Sequence, residues 1–451
     1  MKRQMRLGLS VGNVGYHYGA WRHPDVPANG DMSFRHYLKC AQIAERGKLD
    51  FLFFADVAAV RNLDDPRIAR HREQGQVKHE PTLLVSALAA ATKHIGFLPT
   101  CSTSYHHPYN LGRRLASIDH ISKGRLGWNL VTSTNADEAR NFGQDKAADS
   151  DTRHARAREF AEVMHGLWDS WDDDAFLRDK ESGVYFHRDK FHYLNHDGAH
   201  FKVRGPLDTA RPPQGRLPII TAGASENAQE LAAELADMVY AAQPNLDVAR
   251  RYHDSVKGRL ARYGRSAASL KVMVGIMPVI GRTQAEAQAR FDELQALLDP
   301  SVSIGMMIIN QFPDLTGYPL DEPVPSLNFA RNTTAASRNP VFTLQLMEKA
   351  RAEGMTLRQL FAAVSAGFWH LGVIGTPGRV ADIMEEWFTG GAADGFIIQP
   401  PYLPGGAEDF IELVLPELQR RGLFRHDYEG RTLRENLGLP RPASRYQREI
   451  A

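Results

Sequence analysis

The chain has 451 residues, of which 43% are hydrophobic and 24% are charged, and this composition is typical of soluble globular proteins. Its formal net charge of +1 at pH 7 provides no general attraction for nucleic acid or for anionic membranes, so neither is expected as a partner. The two cysteines, Cys40 and Cys101, argue against a disulfide framework and against a zinc site built on cysteines.

Short apolar runs that predict strands alternate along the chain with segments of helical spacing. Eight such strands with about eight helices between them favour a parallel sheet covered on both faces, and eight is the strand count of a closed (β/α)8 TIM barrel. A doubly wound open sheet is the alternative. The predicted strands are Leu7–Val11, Asp50–Ala55, Ile95–Cys101, Arg125–Thr132, Leu217–Ala222, Met238–Ala241, Val272–Ile280 and Gly395–Gln399.

Three segments interrupt this alternation. Residues 57–79 form a polar loop, residues 175–216 carry the alternation and turns of a β-hairpin, and residues 301–355 combine an apolar run with a helix-prone stretch. Segments this long in a compact domain commonly serve as lids or binding loops. We therefore predict one barrel domain over residues 1–451 with these three insertions, the last of them acting as a lid.

The connection after the first strand, GYHYGAWRHP (residues 15–24), is rich in aromatic residues and histidines. An aromatic wall beside an imidazole suits a flat cofactor and a reacting group. His17 is the candidate catalytic residue because it lies closest to the strand end, although Tyr18 and Trp21 could simply close the barrel mouth. Asp56, at the end of the second strand, is expected to accept a hydrogen bond from a ligand ring or to hold a loop.

Short polar side chains recur after two further predicted strands. Together they predict a ring of hydrogen-bonding groups around one barrel mouth, as a polar and planar ligand requires. The residues are Thr100, Ser102 and Thr103 after the third strand, and Asn129, Thr132, Ser133 and Asn135 in and after the fourth.

The segment that follows the fifth predicted strand passes from small residues directly into a helix. Gly223, Ala224 and Ser225 leave the backbone open, and the first turn of a helix carries unpaired N–H groups and a partial positive charge. A phosphate therefore fits this turn, with Ser225 donating its hydroxyl. The alternative is an ordinary junction in which Ser225 only caps the helix.

Several common motifs are absent from the sequence. There is no G-x-G-x-x-G after the first strand, no G-x-x-x-x-G-K-[ST], no H-E-x-x-H and no G-x-S-x-G, which disfavours Rossmann-type dinucleotide binding, Walker-type phosphate transfer, zincin proteolysis and serine hydrolysis. No metal site is predicted. The start lacks a signal-peptide pattern and no apolar run approaches the ~18 residues that cross a bilayer, so we expect a cytoplasmic location without membrane association.

Longer stretches resemble the bacterial-luciferase-like superfamily, and within it the flavin-dependent monooxygenases of the nitrilotriacetate, dibenzothiophene-sulfone and long-chain-alkane group. The resemblance covers nearly the whole chain. It is carried by HYGAWRHP (17–24), AERGKLDFLFFAD (44–56), EPTLLVSALAAATKHIG (80–96), SYHHPYNLGRRLASIDHISKGRLGWNLVTSTNADEARNFG (104–143), GPLDTARPPQGRLPIITAGAS (205–225), GTPGRVADIMEEWFTGGAADGF (375–396) and LPELQRRGLFRHDYEGRTLRENLG (415–438).

This resemblance implies a barrel that binds reduced FMN supplied by a separate NAD(P)H-dependent flavin reductase. Enzymes of the family add O2 to the flavin, and the resulting C4a-(hydro)peroxyflavin transfers one oxygen atom to a small organic substrate. Homodimers and homotetramers are common in the superfamily, so self-association is expected. The residues that match flavin contacts of the family are Asp56, Thr103, Val131, Thr132 and Ser225, the last of them at the FMN phosphate.

The sequence departs from the family pattern in two places. The family run HDERY corresponds here to SDTRH, in which Ser150 and His154 take the place of two flavin contacts and remain candidates. The family run SEAGRE appears as SENAQE, with Ala228 and Gln229 in place of glycine and arginine. We expect these changes to affect the affinity for FMN rather than the location of its site.

We also assign residues to the substrate side. His17 is expected to hydrogen-bond the oxygenating flavin or the substrate, as an acid–base partner or as an orienting group. Tyr16, Phe54 and Met307 are expected to line the substrate pocket. Sulfur- and nitrogen-containing xenobiotics are within the range of the group. A deazaflavin-dependent dehydrogenase of the same superfamily and a non-catalytic flavin-binding protein are the alternatives.

Overall fold

The computed structural model describes residues 3–11, 14–60, 69–70, 77–309, 312, 315–325, 340–367 and 370–446. Its strands are β1 (Arg6–Ser10), β2 (Phe51–Phe54), β3 (Gly96–Ser102), β4 (Trp128–Val131), β5 (His196–Asp197), β6 (Lys202–Val203), β7 (Ile219–Ala222), β8 (Met238–Ala241), β9 (Lys271–Ile280), β10 (Leu371–Gly375) and β11 (Gly395–Ile398).

Eight of these strands form a closed parallel barrel in the order β1-β2-β3-β4-β7-β8-β9-β11. The circle closes at β1, because Leu7 pairs with Phe396 of β11 while Gly8 pairs with Phe51 of β2. The predicted (β/α)8 barrel is therefore confirmed, and the open doubly wound sheet is excluded. All eight barrel strands lie within two residues, at each end, of the positions expected from the sequence, apart from the later start of β4 at Trp128.

Helices surround the barrel, and most of the longer ones begin at a side-chain cap, as α1 does at Ser33 and α5 at Asp149. Prolines occupy the first turn at Pro81, Pro108 and Pro377, as expected for a residue that lacks an N–H donor. The helices are α1 (Phe34–Arg46), α2 (Pro81–Ala90), α3 (Pro108–Ser122), α4 (Ala136–Asn141), α5 (Ser150–Trp168), α6 (Glu226–Leu235), α7 (Leu246–Arg259), α8 (Gln284–Ala296), α9 (Pro300–Ile309), α10 (Pro340–Ala352), α11 (Leu357–Ser365), α12 (Pro377–Thr389), α13 (Gly405–Asp409), α14 (Leu415–Arg420) and α15 (Leu433–Asn436).

The core is divided between the barrel interior and the layer between strands and helices. Alternate residues of each strand face opposite sides, so Phe51 and Phe53 belong to the interior cluster while Phe54 packs with the outer layer. Gly8 leaves room for the interior ring of Phe51, since a Cβ there would lie 2.2 Å from that ring. Large residues and glycines together fill the barrel and leave the carboxyl-end rim for polar side chains.

A strand that the sequence analysis missed, β10, lies beside the barrel. The upper half of β9, Ile276–Ile280, pairs with β10, whereas Met273–Ile276 pairs with β11. The long β9 thus extends above the barrel mouth and carries an additional strand there. The LGVIG run of β10 has two glycines and only five residues, so its apolar signal was too weak to predict a strand.

The three predicted insertions differ in outcome. Most of the 57–79 loop lies outside the described residues. The 175–216 segment contains an antiparallel hairpin, but its two strands, β5 and β6, are only two residues long. In the 301–355 segment, the described residues are largely helical and share a hydrophobic cluster with α11 that is distinct from the barrel core.

None of the helices in the described ranges combines the length and the apolar character that a membrane crossing requires.

Candidate functional site

The predicted flavin-contact residues lie along one sector of the barrel rim. Asp56 follows β2, Thr103 follows β3, Val131 and Thr132 lie at the end of β4, and Ser225 follows β7. Since β2, β3, β4 and β7 are consecutive neighbours in the barrel, these residues occupy adjacent positions at the carboxyl ends of the strands. This is the end at which TIM-barrel enzymes build their active sites.

Two helix N-termini meet at this sector. Helix α5 begins at Ser150 and α6 begins just after Ser225. The Asn227 side chain joins them, since its Nδ2 donates to Ser150 Oγ (3.2 Å) and to Asp151 Oδ1 (2.6 Å). The sequence analysis missed Asn227. The structure therefore places Ser150, His154 and Ser225 around a junction where the positive ends of two helix dipoles converge, which favours an anion.

The turn before α6 is open to solvent, and two side chains stabilise it by hydrogen bonds to its carbonyl groups. Gly223 has a φ of +134°, a conformation that disfavours a side chain. The Tyr252 hydroxyl donates to the Gly223 carbonyl (2.9 Å), and Gln229 Nε2 donates to the Ala224 carbonyl (2.8 Å). Ser225 Oγ accepts from the Ala228 N–H (3.3 Å) as the helix cap. Gln229, which departs from the family pattern, thus stabilises the turn.

His154 lies within the first turns of α5 in one defined tautomer. Its Nδ1 is 2.7 Å from the Ser150 carbonyl oxygen, which can only accept, so Nδ1 carries the proton. Burial lowers the pKa of His154 below its usual value. The neutral ring therefore has an acceptor at Nε2, and it can donate to a phosphate there only when it takes up a second proton.

The strand-end carbonyls are held by two arginines of α5. Arg153 Nη1 donates to the Thr132 carbonyl (2.8 Å) and Arg156 Nε to the Thr103 carbonyl (3.1 Å). Thr103 is fully buried and its hydroxyl donates to the Val131 carbonyl (3.2 Å), so it shapes the rim rather than offering a free proton. The one-turn spacing of Arg153 and Arg156 at a helix start was the signal that sequence reasoning overlooked.

A buried hydrogen-bond acceptor lies on β4, on the strand face opposite to Trp128 and Leu130. Asn129 Nδ2 donates to Thr100 Oγ1 (2.6 Å), which in turn donates to the Phe54 carbonyl (2.7 Å). This chain fixes the orientation of the amide and leaves Asn129 Oδ1 buried without a hydrogen-bond partner among the described residues. A buried acceptor without a partner is costly, which indicates a place for a ligand donor.

Asp56 has a partner on the neighbouring loop. Its carboxylate lies 2.9 Å from Lys78 Nζ, and both side chains are largely buried. Of the two roles predicted for Asp56, this geometry supports the second, in which it holds the end of the 57–79 loop against the rim.

His17 is enclosed by protein on all sides. Its Nδ1 accepts from the Gly19 N–H (3.1 Å), and its Nε2 lies 2.8 Å from the carboxamide of Gln295 on α8. Only 1% of His17 is exposed, and burial lowers its pKa to about 3. Because the ring is neutral and both nitrogens have partners, the geometry supports a positioning role and gives no support to the predicted acid–base role.

The opposite sector of the rim carries a second polar network. Tyr16 contacts Ser10 through their hydroxyls, and the Tyr240 hydroxyl receives a hydrogen bond from Gln399. His370 stacks on the Tyr240 ring with centroids 5.3 Å apart and occupies the space above Gly275, where a Cβ would meet the imidazole. Apart from Tyr16, sequence reasoning did not select these residues, because a lone Tyr, Gln or His in an apolar segment gives no motif.

This network is uncharged at neutral pH. Burial lowers the pKa of His370 to about 3 and raises the pKa of Tyr240 well above its usual value. Within the described part of the chain, Gln399 Oε1 and His370 Nδ1 have no hydrogen-bond partner. The sector formed by β8, β9, β11 and β1 thus offers neutral hydrogen-bonding groups facing the flavin-contact sector.

Two predicted substrate-pocket residues lie elsewhere. Phe54 packs in the layer between strands and helices, and Phe53 faces the interior in its place. Met307 is 1% exposed and packs inside the separate hydrophobic cluster of the 301–355 insertion. In both cases a residue expected at a pocket surface is used for packing.

The closed barrel with polar side chains on its rim is the architecture of TIM-barrel enzymes, a class whose active sites lie at the carboxyl ends of the strands. Residues 13–394 match the family model described as luciferase-like monooxygenase. The chain belongs to this luciferase-like monooxygenase family and is a monooxygenase.

Similar proteins agree with this assignment over their full lengths. The chain is 43% identical to N-acetyl-S-(2-succino)cysteine monooxygenase of Bacillus subtilis (strain 168), covering 99% of both chains. It is 42% identical to nitrilotriacetate monooxygenase component A of Aminobacter aminovorans, covering 98% of this chain and 97% of that one. The solved structure of DmoA from Hyphomicrobium sulfonivorans superposes with a TM-score of 0.86 at 31% identity, covering 97% of this chain and 92% of that one.

Proposed function

We propose that this protein is the oxygenase component of a two-component, FMNH2-dependent monooxygenase that inserts one atom of O2 into a small organic substrate. A separate NAD(P)H-dependent flavin reductase supplies the reduced FMN. The observation that carries the proposal is the junction of α5 and α6 at the barrel rim, where Ser150, Asn227 and Ser225 surround an open, positively polarised backbone turn.

The FMN phosphate fits this junction. Ser225 and the free N–H groups at the start of α6 hold it on one side, and Ser150 and protonated His154 hold it on the other. The small residues Gly223 and Ala224 let the phosphate approach the backbone. The acidic Asp151 is kept from the anion by its hydrogen bond to Asn227 (2.6 Å).

The isoalloxazine ring fits over the barrel mouth. Asn129 Oδ1 is the buried acceptor there and would receive an N–H of the flavin, which removes the cost of its missing partner. Val131 and Thr132 lie beside it at the end of β4. When bound, reduced FMN supplies the activation of O2, and the protein supplies position and shelter from water.

Residues of this chain orient the substrate and shelter the site from water. Tyr16, Tyr240, His370 and Gln399 face the ring from the opposite sector and orient the substrate by neutral hydrogen bonds. His17 fixes the loop that carries Tyr16, since its ring accepts from the Gly19 N–H and contacts the Gln295 carboxamide of α8. The backbone N–H groups of Tyr16 and His17 add hydrogen bonds to the Pro400 and Pro401 carbonyls. The described helices of the 301–355 insertion, α9 and α10, pack on a core of their own with α11 and serve as the lid.

A relative's name supports the two-component assignment. The nitrilotriacetate enzyme is called component A, and the match with it covers 98% of this chain and 97% of that one. If the rim binds FMN as a substrate that is released after each turnover, another protein has to reduce the flavin again. We therefore propose a separate flavin reductase, a cytoplasmic location and a homo-oligomeric oxygenase.

Reconstitution tests the proposal directly. The purified chain, FMN, NADH and a flavin reductase are mixed, and oxygen uptake, peroxide release and product formation are followed against a panel of sulfur- and nitrogen-containing substrates. The proposal predicts that one substrate yields a product carrying one atom of labelled O2, only when FMN and the reductase are both present. Activity with a reduced deazaflavin but none with reduced FMN would contradict it.

A further inference from the structure

A continuous aromatic surface lies on the segment after α5, residues 171–193, which we call the aromatic arm. Its rings follow one another at contact distance: Phe176 lies 4.6 Å from Trp171 and 5.9 Å from Tyr185 between ring centroids, and Phe191 lies 5.4 Å from Tyr193. Phe186 joins the two halves, 5.5 Å from Trp171 and 6.2 Å from Phe191.

Much of this apolar surface faces solvent in the single chain. Tyr185 is 61% exposed, Leu177 48% and Tyr193 44%, and Val184 and Phe186 are also exposed. Large apolar side chains scattered singly are normal on a protein surface, but a contiguous patch marks an interaction site. Aromatic residues are also enriched at the centres of protein–protein interfaces.

The arm is held in one shape by its backbone. The Arg178 and Asp179 N–H groups donate to the Tyr185 and Val184 carbonyls at 3.0 and 2.9 Å, and Trp171 Nε1 donates to the Leu207 carbonyl at 2.7 Å. A surface that is already ordered loses little conformational entropy when it is buried, which favours association.

The aromatic arm lies far from the proposed flavin site. Helix α5 begins at Ser150 in the proposed flavin site and runs 19 residues to Trp168, immediately before the arm. At a rise of ~1.5 Å per residue, the two ends of α5 are about 27 Å apart. The arm therefore lies far from the rim where reduced flavin enters, which disfavours a docking site for the reductase.

The charges of the arm fit a second copy of the same arm. Arg178 and Lys180 stand beside Glu181 at its tip, and none of the three has an ion-pair partner within the described part of the chain. A two-fold interface brings one patch against itself, so a patch with both signs of charge is complementary to its copy. We propose that the aromatic arm is a self-association surface, which pairs with the arm of a second copy of this chain.

Light scattering after size-exclusion chromatography tests this proposal. The wild-type chain at ~10 μM is expected to have at least twice the mass of one chain, and the double variant Leu177→Asp with Tyr185→Asp is expected to fall to a smaller species. Tyr318→Asp, which changes an exposed tyrosine outside the arm, is the control and should keep the wild-type mass. Circular dichroism and FMN binding verify that each variant is folded.

A spin label provides an independent measurement. Cys40 and Cys101 are both buried, so Lys180→Cys introduces the accessible thiol for labelling. Paired arms predict a defined label-to-label distance by pulsed electron spin resonance, even if the double aspartate variant fails to fold. A monomeric wild type, a wild-type mass in the double variant or the absence of a label pair would overturn the proposal, as would an intact assembly in which only coupling to the reductase is lost.

Discussion

Single residues of the rim show how burial decides what a side chain can do. His17 and His370 both lie beside the barrel mouth, and burial lowers the pKa of each to about 3. Both ring nitrogens of His17 have hydrogen-bond partners, Gly19 and Gln295, whereas His370 has no partner at Nδ1 within the described residues. The same residue type therefore holds a loop in one place and keeps a nitrogen available for hydrogen bonding in the other.

If His17 positions the loop, its removal should uncouple the oxidation of the flavin from the oxygenation of the substrate. His17→Ala should bind reduced FMN with near wild-type affinity, yet lose about 10²-fold in product formation and release peroxide instead, because the loop carrying Tyr16 shifts. Gln295→Leu should reproduce part of this loss, and the wild-type rate should show no titration of His17 near pH 6.5. Stopped-flow spectroscopy and peroxide assays measure both effects. Wild-type coupling in His17→Ala would remove the residue from the account.

His154 predicts that FMN binding is coupled to proton uptake. Burial lowers its pKa in the free protein, and a phosphate at Nε2 would raise it, so the protonated form gains on binding. The affinity of the wild type should therefore rise relative to His154→Asn as the pH falls from 8 to 6, by about three- to tenfold.

Comparing the two proteins at each pH in this experiment cancels the titration of the phosphate itself, whose second pKa is near 6. Fluorescence titration of FMN gives both affinities. A ratio that stays constant with pH would show that Nε2 does not contact the phosphate.

At the scale of elements, the meeting of α5 and α6 creates a property that neither helix has alone. Asn227 of α6 donates to both Ser150 and Asp151 of α5, which fixes the distance between the two N-termini. The sequence predicted the anion site at Ser225 because a strand, small residues and a cap occur in order. It did not predict that Asn227 would bridge the helices, since a contact over 76 residues leaves no local pattern.

A charge placed at the cap should abolish phosphate binding without harming the helix. Aspartate is a good N-cap, so Ser225→Asp keeps α6 intact while placing a negative charge against the phosphate. We expect FMN binding to weaken at least tenfold, about 1.4 kcal/mol, while riboflavin, which lacks the phosphate, binds as before. Ser266→Asp, at an exposed serine elsewhere, is the control. Equal loss of both flavins would point to misfolding, and equal retention would contradict the placement.

A substitution in the separate hydrophobic cluster of the insertion should destabilise this segment and leave the barrel folded. Leu360 is fully buried in the cluster that α9, α10 and α11 share, so Leu360→Ala should cost about 2–5 kcal/mol there. Limited proteolysis should then cut within residues 300–365 first, and peroxide release should increase if this segment shelters the mouth. Leu418→Ala, buried against the barrel, should lower the melting temperature without such selective cutting. Unchanged coupling in Leu360→Ala would argue against a lid.

For the molecule as a whole, periodicity predicted the strands and favoured the barrel. Eight apolar runs with helices between them indicate a parallel sheet that is covered on both faces. The pairing of β1 with β11 closes this sheet, and that contact leaves no pattern in the sequence. Periodicity did not distinguish Phe53 from Phe54, since one residue of register exchanges the two faces. It also missed β10 and assigned Met307 to a pocket, because an apolar side chain in an insertion can pack on a second core that only the tertiary structure reveals.

The two sectors of the rim lie on opposite sides of the barrel. The predicted flavin-contact residues lie at the ends of β2, β3, β4 and β7. The neutral network on the opposite side consists of Tyr240 in β8, His370 before β10 and Gln399 after β11. A cofactor held on one side and a substrate on the other would place the reacting atoms above the barrel axis. This arrangement depends on the phosphate lying at the junction of α5 and α6.

A crystal structure of the complex with FMN measures that position most directly. We predict the phosphate within hydrogen-bonding distance of Ser225, Ser150 and the first N–H groups of α6, with the ring over the mouth and an N–H directed at Asn129 Oδ1. A phosphate bound at any other strand end, or a ring turned away from Asn129, would contradict it.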